Sequence, residues 1–263
     1  MTEAAVRVWA NLEDSARLKG AAHLVLIDPD RVAPARAWAL AEECEAASAD
    51  AILVGSSTPL ESDPTPVLQA IHRGSSLPLI LFPGGSDQLH QDADAVLFLS
   101  LLSGRDPRFL IEEQLRAAPR VLAWGIEPIA TAYLLVGDAE HSAVARVTGT
   151  TPLPVDPPDE AVRHAQAASC LGMSLVYLEG GSGSGSSLPP SLVRAVSRAS
   201  RLPVAVGGGI RRPAEAAALA GAGARYVVTG TAHELGMAVK PFTDAVHAAS
   251  VPDGVAAVEA GAY

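Results

Sequence analysis

Short apolar runs ending in Gly, Asp, Ser or Glu recur along the chain and alternate with Ala- and Arg-rich stretches of helical character. The runs are continuously apolar, which is typical of parallel strands covered on both faces. Eight of them predict strands at 23–28, 51–55, 78–82, 95–100, 132–137, 175–179, 203–208 and 226–230. Eight such strands predict an α/β fold of the (β/α)8 TIM-barrel type, with a doubly wound open sheet as the alternative.

The segments outside these strands supply the helices. Several of them carry a proline at a first-turn position, as at Pro34, Pro190 and Pro213, where its missing amide hydrogen costs nothing. The pattern predicts helices at 34–47, 64–74, 107–118, 158–171, 189–200, 212–222 and 238–249. The Thr-, Pro- and Asp-rich segment 138–160 predicts a long loop, which in a barrel would cover the active face.

One crossover is unusually short. Only twelve residues, 83–94, separate the third predicted strand from the fourth, too few for two loops and a packed helix. We therefore expect the barrel to lack a full third helix and to have an apolar slot on that flank. Exposed apolar grooves usually accept a ligand or a partner.

Composition narrows the class of protein. The 263 residues, 49% of them hydrophobic, suffice for one large core, and no linker divides them, so we expect one domain over 1–263. A formal charge of -10 argues against a nucleic-acid partner. Cys44 and Cys170 predict buried, reduced thiols in a cytoplasmic protein. Without an evident signal peptide or membrane span, we expect a soluble protein, and a peripheral contact with lipid stays open.

Three glycine-rich segments follow the last three predicted strands: "EGGSGSG" at 179–185, "VGGGI" at 206–210 and "TGT" at 229–231. Barrels often bind phosphate with the loops after their last strands. Glycine lets main-chain N–H groups approach the phosphate oxygens. Turns also use glycine, but three clusters after consecutive strands favour a phosphorylated small substrate.

Polar residues end the first two predicted strands. Asp28 lies in "IDPDR", where its carboxylate suits Mg²⁺ bridged to a substrate phosphate, although a turn that caps the next helix explains it equally well. Ser56 and Ser57 could supply a weak metal ligand or a helix cap. The seven histidines have no metal-ligand spacing. Glu179 is the unexpected residue, because a carboxylate at the entrance of a phosphate loop would repel phosphate.

These features lie within longer motifs that include "LIDPDR", "ADAILVGSS", "LILFPGG", "LGMSLVYLEGGSGSG" and "AVGGGIRRPAEAAALAGAGARYVVTGTAHE". Together they resemble the geranylgeranylglyceryl phosphate synthase family over nearly the whole chain. That family consists of TIM-barrel prenyltransferases and includes the heptaprenylglyceryl phosphate synthases. The length and the "SGRDPRFLIEEQ" insertion resemble its longer, archaeal-type branch. The resemblance also implies a missing third helix, with the isoprenoid in the slot this leaves.

The resemblance implies an Mg²⁺-dependent transfer of a polyprenyl group, expected to be geranylgeranyl, from its diphosphate to sn-glycerol 1-phosphate, giving an ether-lipid precursor. Asp28 and Ser57 match the magnesium ligands. It also implies a homo-oligomer and is consistent with peripheral membrane contact for product release. The matching substrate-binding residues are Tyr177, Leu178, Glu179, Gly180, Gly181, Ser182, Gly183, Gly208, Gly209, Gly230 and Thr231.

Glu179 then gains a role as the catalytic base that accepts the proton of the reacting hydroxyl. Tyr177 is a second catalytic candidate that could hydrogen-bond the same substrate, or a packed strand aromatic. Departures from the family pattern leave the prenyl chain length and the substrate preference open; they are Arg31, Ser56, Ala130, Ala132, Gly180 and Thr231.

Two other functions remain as alternatives. A phosphosugar isomerase or cyclase on this barrel would need acid and base carboxylates on opposite strands, and the fifth predicted strand offers only apolar residues before Asp138. A non-catalytic phosphate-binding barrel would be favoured by loss of Asp28 or Glu179, and both are present.

Overall fold

The computed structural model describes residues 7–138, 142–181 and 186–249. Eight parallel strands form a closed barrel in chain order. They are β1 (Ala22–Ile27), β2 (Ala51–Val54), β3 (Leu79–Leu81), β4 (Ala95–Leu101), β5 (Glu127–Leu135), β6 (Leu175–Glu179), β7 (Val204–Gly207) and β8 (Tyr226–Thr229). The predicted TIM barrel is confirmed, and the open-sheet alternative is wrong because β8 pairs with β1. One domain over 1–263 stays a prediction.

Helices surround the barrel, and six of the seven predicted ones lie within two residues of their expected bounds. Pro34, Pro190 and Pro213 each open a helix, as predicted. The α-helices are α1 (Val8–Lys19), α2 (Pro34–Ala46), α3 (Thr65–Gly74), α4 (Glu113–Trp124), α5 (Ala143–Thr148), α6 (Asp159–Cys170), α7 (Pro190–Ala199), α8 (Pro213–Gly221), α9 (Thr231–Glu234) and α10 (Lys240–His247).

The connection between β3 and β4 has no α-helix. This segment is described throughout, and its only regular element is a 3₁₀ turn at Ser86–Gln88. The predicted absence of a full helix after the third strand is therefore confirmed. The next crossover begins with a π-helical turn, Arg108–Glu112, that continues directly into α4.

The helix α1 was not predicted, and it closes the amino-terminal end of the barrel. Val8, Leu12 and Ala16 lie on one face of α1 and pack in the same buried cluster as the inward-facing strand residues. The indole of Trp9 lies 5.3 Å from the ring of Tyr226, between ring centroids. This end of the barrel is therefore plugged by apolar packing, and access is left to the other end.

Three boundaries differ from the sequence expectations. The strand β5 begins at Glu127, five residues before the predicted start, because pairing with β4 from Ala95 onward extends it through a less apolar stretch. The helix α4 continues past Pro119 to Trp124. The predicted loop 138–160 contains α5, whose N-cap Ser142 accepts a hydrogen bond from the Ala145 amide at 3.1 Å.

The two cysteines lie in different surroundings. Cys44 on α2 is buried, as predicted, and burial raises the pKa of its thiol to about 12. Cys170 is exposed, so the prediction of a buried thiol is wrong there. It ends α6 two residues after the buried Ala168, a step that turns its side chain away from the barrel.

Alternate strand residues face opposite sides, which divides the core into an interior and an outer layer. Inside the barrel, a cluster includes Leu53, Leu97 and Tyr177. Two outer clusters fill the space between strands and helices, and Leu178 belongs to one of them. Successive residues of a strand point to opposite sides of it. Tyr177 and Glu179 are two positions apart on β6, so both side chains face the barrel interior.

Candidate active site

A large cavity opens at the carboxyl-terminal ends of the strands. Each of the eight strands, or the loop after it, contributes to the lining, together with residues of α4, α5 and α9. It encloses about 1370 Å³ of space free of protein atoms, part of it open to solvent. This is the end of a TIM barrel where active sites lie. The segment predicted to cover the active face contributes Val144, Val147 and Thr148.

Glu179 lines this cavity with only 5% of its surface exposed. Burial raises the pKa of its carboxyl to about 7, because desolvation disfavours the charged form. Two hydrogen bonds oppose that effect: the Gly181 amide donates to Oε1 at 2.7 Å, and the Tyr133 hydroxyl donates to the carboxylate. The carboxyl therefore titrates near neutral pH, as a general base requires.

Three aromatic rings lie below Glu179 inside the barrel. The ring centroids of Phe82 and Tyr177 are 4.9 Å apart, those of Tyr133 and Tyr177 are 5.4 Å apart, and those of Phe82 and Tyr133 are 5.8 Å apart. Burial, followed by the charge of Glu179, raises the pKa of both tyrosines well above the usual value. Both hydroxyls therefore stay protonated. A Cβ at Gly207 would lie 2.1 Å from the Tyr177 hydroxyl oxygen, so glycine is required there.

The glycine loops meet beside the same carboxylate. Gly181, Gly208 and Gly209 have φ angles of 92°, 89° and 69°, which side chains rarely allow. A Cβ on Gly208 would lie 2.6 Å from Oε1 of Glu179 and 2.8 Å from the amide nitrogen of Gly181. Two of the loops are thus brought together, and the predicted residues Gly208 and Gly209 line the cavity.

The remaining predicted substrate-binding residues are placed differently from one another. Gly230 and Thr231 line the cavity, whereas the Gly180 amide donates to the Gly207 carbonyl at 2.9 Å. Ser182 and Gly183 lie outside the described residues.

The structure directs the side chain of Leu178 away from the cavity, so its predicted substrate contact stays a prediction for the main chain alone. This side chain points away from the cavity into the fully buried layer between barrel and helices. Successive residues of β6 point to opposite sides, so Leu178 cannot share the interior with Tyr177 and Glu179.

The rim of the cavity beyond the ends of β1 and β8 is acidic. Burial raises the pKa values of both Asp28 and Glu234. Arg31 lies between them, with nitrogens 3.5 Å from an oxygen of each carboxylate. The Ser56 hydroxyl donates to Asp28 at 3.2 Å, and Ser57 lines the cavity nearby.

This rim fits Mg²⁺ only as a partly hydrated ion shared with a substrate. Within the described ranges, no group of three or more His, Cys, Asp or Glu side chains could hold a metal. Mg²⁺ commonly keeps several waters and takes one or two carboxylates plus substrate phosphates, which Asp28 and a serine hydroxyl can satisfy. The assignment of Asp28 and Ser57 as metal ligands stays a prediction.

The flank that lacks a helix forms the apolar part of the cavity. Leu89, Val96, Phe98 and Ala117 line it, from the β3–β4 connection, β4 and α4. The walls are tied together at Glu113, whose carboxylate accepts a 2.8 Å hydrogen bond from the main-chain amide of the 3₁₀ turn. The slot predicted at 83–94 is therefore present and continuous with the space around the buried carboxylate.

Three lining residues were not singled out from the sequence: Phe82, Tyr133 and Glu234. A two-residue count along each strand indicates the inward positions. For β5, however, Tyr133 was placed at the second residue of a strand that in fact begins at Glu127, and its partner could not be seen. Glu234 belongs to a four-residue helix that no periodicity can reveal.

The chain forms a closed parallel barrel whose cavity combines a glycine-rich cradle, a buried carboxylate of raised pKa and a lateral apolar slot. These features are typical of a TIM-barrel enzyme. The chain matches the PcrB family over residues 14–246 and belongs to that family. The predicted class, a prenyltransferase like the geranylgeranylglyceryl phosphate synthases, is thereby confirmed.

Two curated relatives illustrate the similarity. The geranylgeranylglyceryl phosphate synthase of Thermofilum pendens is 42% identical over 226 residues, which cover 86% of this chain and 88% of the relative. The enzyme of the same name from Pyrococcus abyssi is 45% identical over 213 residues, 81% of this chain and 84% of the relative.

A solved structure shows the same architecture. It is (S)-3-O-geranylgeranylglyceryl phosphate synthase from Thermoplasma acidophilum in complex with its substrate sn-glycerol-1-phosphate. The TM-score is 0.84 at 38% identity, covering 90% of this chain and 98% of that one.

In the part of the chain that the structure describes, no helix has both the length and the apolar character of a membrane span.

Proposed function

We propose that this chain transfers a geranylgeranyl group from its diphosphate to sn-glycerol 1-phosphate, giving an ether-linked lipid precursor and diphosphate. The observation that carries the proposal is the position of Glu179, buried in one cavity between the glycine loops and the apolar slot. The names of the curated relatives and the substrate in the Thermoplasma acidophilum complex support the choice of substrates.

The glycine loops would hold the phosphate end of the acceptor. Main-chain N–H groups near Gly208, Gly209 and Gly230 suit phosphate oxygens, because glycine lets the backbone approach closely. Fixing that end limits where the free hydroxyls can lie, which lowers the entropic cost of reaction.

Glu179 would accept the proton. As the bond between the allylic carbon and the diphosphate oxygen breaks, the acceptor hydroxyl oxygen forms the new C–O bond and its proton passes to the carboxylate. The Tyr133 hydroxyl orients that carboxylate through its hydrogen bond. A positioned general base is worth about 10²–10⁴-fold in rate.

The aromatic rings and the slot would serve the prenyl donor. An allylic carbon gains positive charge as diphosphate departs, and the faces of Phe82 and Tyr133 suit such a charge. The apolar lining at Val96, Phe98 and Ala117 suits the hydrocarbon chain and keeps water from the cation.

Mg²⁺ would be held by Asp28 and Ser57 and, when bound, would offset the charge of the leaving diphosphate. Both residues line the cavity at the acidic rim, which adjoins the loop of Gly230. The partial exposure of this rim is compatible with an ion that keeps several of its waters.

We also propose that the enzyme is cytoplasmic, contacts the membrane peripherally to release its lipid product, and is a homo-oligomer. Exposed apolar side chains on the π-turn and α4 support an association surface: Ile111, Leu115 and Leu122 are 52%, 66% and 76% exposed. Sedimentation of the purified protein measures the oligomeric state. A monomer at micromolar concentration would contradict that part of the proposal.

The activity is tested by incubating the purified protein with sn-glycerol 1-phosphate, radiolabelled geranylgeranyl diphosphate and Mg²⁺. We expect label to become butanol-extractable only when both substrates and the metal are present. Glu179→Gln should lower the rate by about 10²–10⁴-fold while binding of glycerol phosphate survives. Glu127→Gln is the matched control, since Glu127 begins β5 at the opposite end of the barrel.

Transfer by Glu179→Gln at the wild-type rate would remove the general base from the proposed mechanism. Failure to transfer any prenyl length would contradict the proposed reaction itself. A phosphosugar isomerase is not favoured, because Tyr133 is the one residue of β5 among the described residues that line the cavity.

A further inference from the structure

A chain of hydrogen bonds lies behind the cavity wall, outside the groups used above. His23 Nδ1 is 2.8 Å from the Thr243 hydroxyl, and His23 Nε2 is 2.7 Å from the Thr229 hydroxyl. The Thr229 hydroxyl is also 2.8 Å from His233 Nε2, and His233 Nδ1 is 2.9 Å from the Met237 carbonyl oxygen. The four side chains are at most 1% exposed. They connect β1, β8, α9 and α10.

The direction of every bond in this network follows from one end. The Met237 carbonyl can only accept, so His233 Nδ1 carries a proton; because burial lowers the pKa of this ring and keeps it neutral, His233 Nε2 accepts from Thr229. Since the Thr229 hydroxyl has one proton, His23 Nε2 must donate to its oxygen, which leaves His23 Nδ1 to accept from Thr243. Both imidazoles are neutral and all four ring nitrogens are satisfied.

The surroundings hold both rings in that neutral state. Burial is the main cause that lowers the pKa of His23 to about 3 and lowers the pKa of His233. Phe242 of α10 packs against both rings, with its centroid 6.4 Å from His23 and 5.2 Å from His233. The network is thus both electrostatically and sterically fixed.

The other side of the same short segment forms a wall of the cavity. Thr229, Gly230, Thr231 and Glu234 line the cavity, whereas His233 is fully buried on the far side. The Thr229 hydroxyl is already engaged by both imidazoles, so it is not free to bind a substrate. The segment 229–234 has only six residues, and the network joins its buried face to β1 and α10 beside the apolar packing of Ala232.

We propose that His23, Thr229 and His233 are positioning residues that fix the segment 229–234 and thereby set the affinity of the cavity for the phosphate end of the acceptor. The proposal rests on the proposed function, since it names how one wall of that binding site is held. It requires no contact between either imidazole and the substrate.

The test compares Thr229→Val with Thr229→Ser. Valine keeps the shape of the side chain and replaces the hydroxyl by a methyl group, whereas serine keeps the hydroxyl. We expect Thr229→Val to raise the Kd for sn-glycerol 1-phosphate about tenfold, measured by calorimetry, because the segment is then less preorganised for the phosphate. Thr229→Ser should stay near wild type. The KM for geranylgeranyl diphosphate should not change in either variant.

A second variant and a control guard against simple loss of stability. Thr243→Val removes the far end of the network without altering any residue of the cavity wall, and we expect a smaller loss of affinity in the same direction. His247→Gln is the control on the same helix, because His247 bonds to Asp50 and not to the network. Its Kd should equal that of wild type even if its melting temperature falls.

The outcomes separate the two ideas. If wild type binds sn-glycerol 1-phosphate and both Thr229→Val and Thr243→Val bind it equally well, the positioning role is wrong and the proposed function stands. If wild type does not bind it at millimolar concentration, the proposed function fails and this inference fails with it.

Discussion

Burial of the Glu179 carboxyl lowers the stability of the folded protein at high pH and also makes this carboxyl suitable as a base. Its buried carboxyl has a pKa raised to about 7, so at higher pH the folded protein carries a charge that water would stabilise better. Because the folded pKa exceeds the unfolded value, the contribution to stability is present at low pH and is lost as pH rises through about 7. The same shift leaves the carboxylate basic enough to take a proton at neutral pH.

The first prediction concerns the pH profile. With Glu179 as base, kcat/KM should rise with pH through about 7, because the ionised form is the active one. Tyr133→Phe removes a hydrogen bond that lowers the pKa of this carboxyl, so the rising limb should move to higher pH. Initial rates across neutral pH, from mildly acidic to mildly alkaline buffers, measure both profiles.

The comparison between the two proteins is the essential control, since the substrate phosphate titrates in the same range for both. An identical limb in wild type and Tyr133→Phe would show that Glu179 does not set the pH dependence. A fall in rate with no shift would assign Tyr133 to orientation alone.

The second prediction concerns Gly208. Its φ is 89°, and a Cβ added there would lie 2.6 Å from Oε1 of Glu179, which leaves no room for a methyl group. Gly208→Ala should therefore displace the carboxylate and lower kcat at least tenfold, measured with the labelled prenyl donor. The control is Gly172→Ala, where φ is 73° but nothing lies within 4 Å of the added carbon.

Both glycine variants share the strain of a positive φ, of the order of 1 kcal/mol, and the clash adds a further loss of stability only in Gly208→Ala. Only the Gly208 variant meets the carboxylate. Equal activity in the two variants would contradict the close approach of the glycine loop to Glu179.

At the level of elements, the missing helix between β3 and β4 has a specific consequence. The slot is bounded by β4 and α4, and Ala117 is a small residue on its wall with 6% of its surface exposed. The π-turn that precedes α4 inserts an extra residue into the helical repeat, which is common at functional sites.

The third prediction is that Ala117→Phe shortens the usable slot. The larger side chain should lower turnover with geranylgeranyl diphosphate at least tenfold and spare a ten-carbon geranyl donor. The ratio of kcat/KM for the two donors measures the effect. Ala118→Phe is the control, because the neighbouring side chain does not line the cavity.

If the ratio is unchanged in both variants, the prenyl chain does not occupy this flank. A fall with both donors in Ala117→Phe alone would point to a general disturbance of α4. In either case the assignment of the slot would have to be revised.

Most elements followed from the sequence because buried parallel strands are continuous apolar runs. The elements that were missed lack such a signal. The start of β5 includes Glu127 and Thr131, and only pairing with β4 makes it a strand. The helix α1 has a narrow apolar face, and its role as a plug depends on the closure of the barrel.

The candidate site was predictable where a residue follows a strand end, as for Asp28 and Glu179. It was not predictable where function depends on register between strands. Tyr133 is paired in register with Tyr177, two positions before Glu179, and no local pattern shows which side chain reaches the carboxylate. The outward direction of Leu178 follows from the two-residue period and could have been foreseen.

Across the whole molecule, stability and chemistry lie at opposite ends of the barrel. Asp50 lies at the amino-terminal end, 7% exposed, and joins α1, β1 and α10. It accepts hydrogen bonds at 2.6–2.8 Å from Ser15, Lys19, the His23 amide and His247. Burial alone would raise the pKa of the Asp50 carboxyl, but these hydrogen bonds together lower that pKa to about 2.

The fourth prediction is that Asp50→Asn lowers the free energy of unfolding by about 2–4 kcal/mol at pH 7. Because the folded pKa lies below the unfolded value, the contribution of Asp50 is present above about pH 4 and is lost as pH falls towards 2. The deficit of the variant should shrink over that range. Denaturant titrations at several pH values measure it.

Turnover per folded molecule should be unchanged in Asp50→Asn, since the residue lies far from the carboxyl ends of the strands. Asp244→Asn is the matched control, because Asp244 pairs with Lys240 on the exposed side of α10. Equal stability of the two variants would contradict the role of Asp50 in joining the terminal helices.

The proposed chemistry requires that one buried carboxylate faces the hydroxyl end of an acceptor whose phosphate end is held by the glycine loops. A crystal structure of the protein with sn-glycerol 1-phosphate decides this. We expect the phosphate beside Gly208, Gly209 and Gly230, with a free hydroxyl about 2.6–3.2 Å from a Glu179 oxygen. Phosphate bound away from these three glycines, or hydroxyls that all point away from Glu179, would contradict the proposed chemistry.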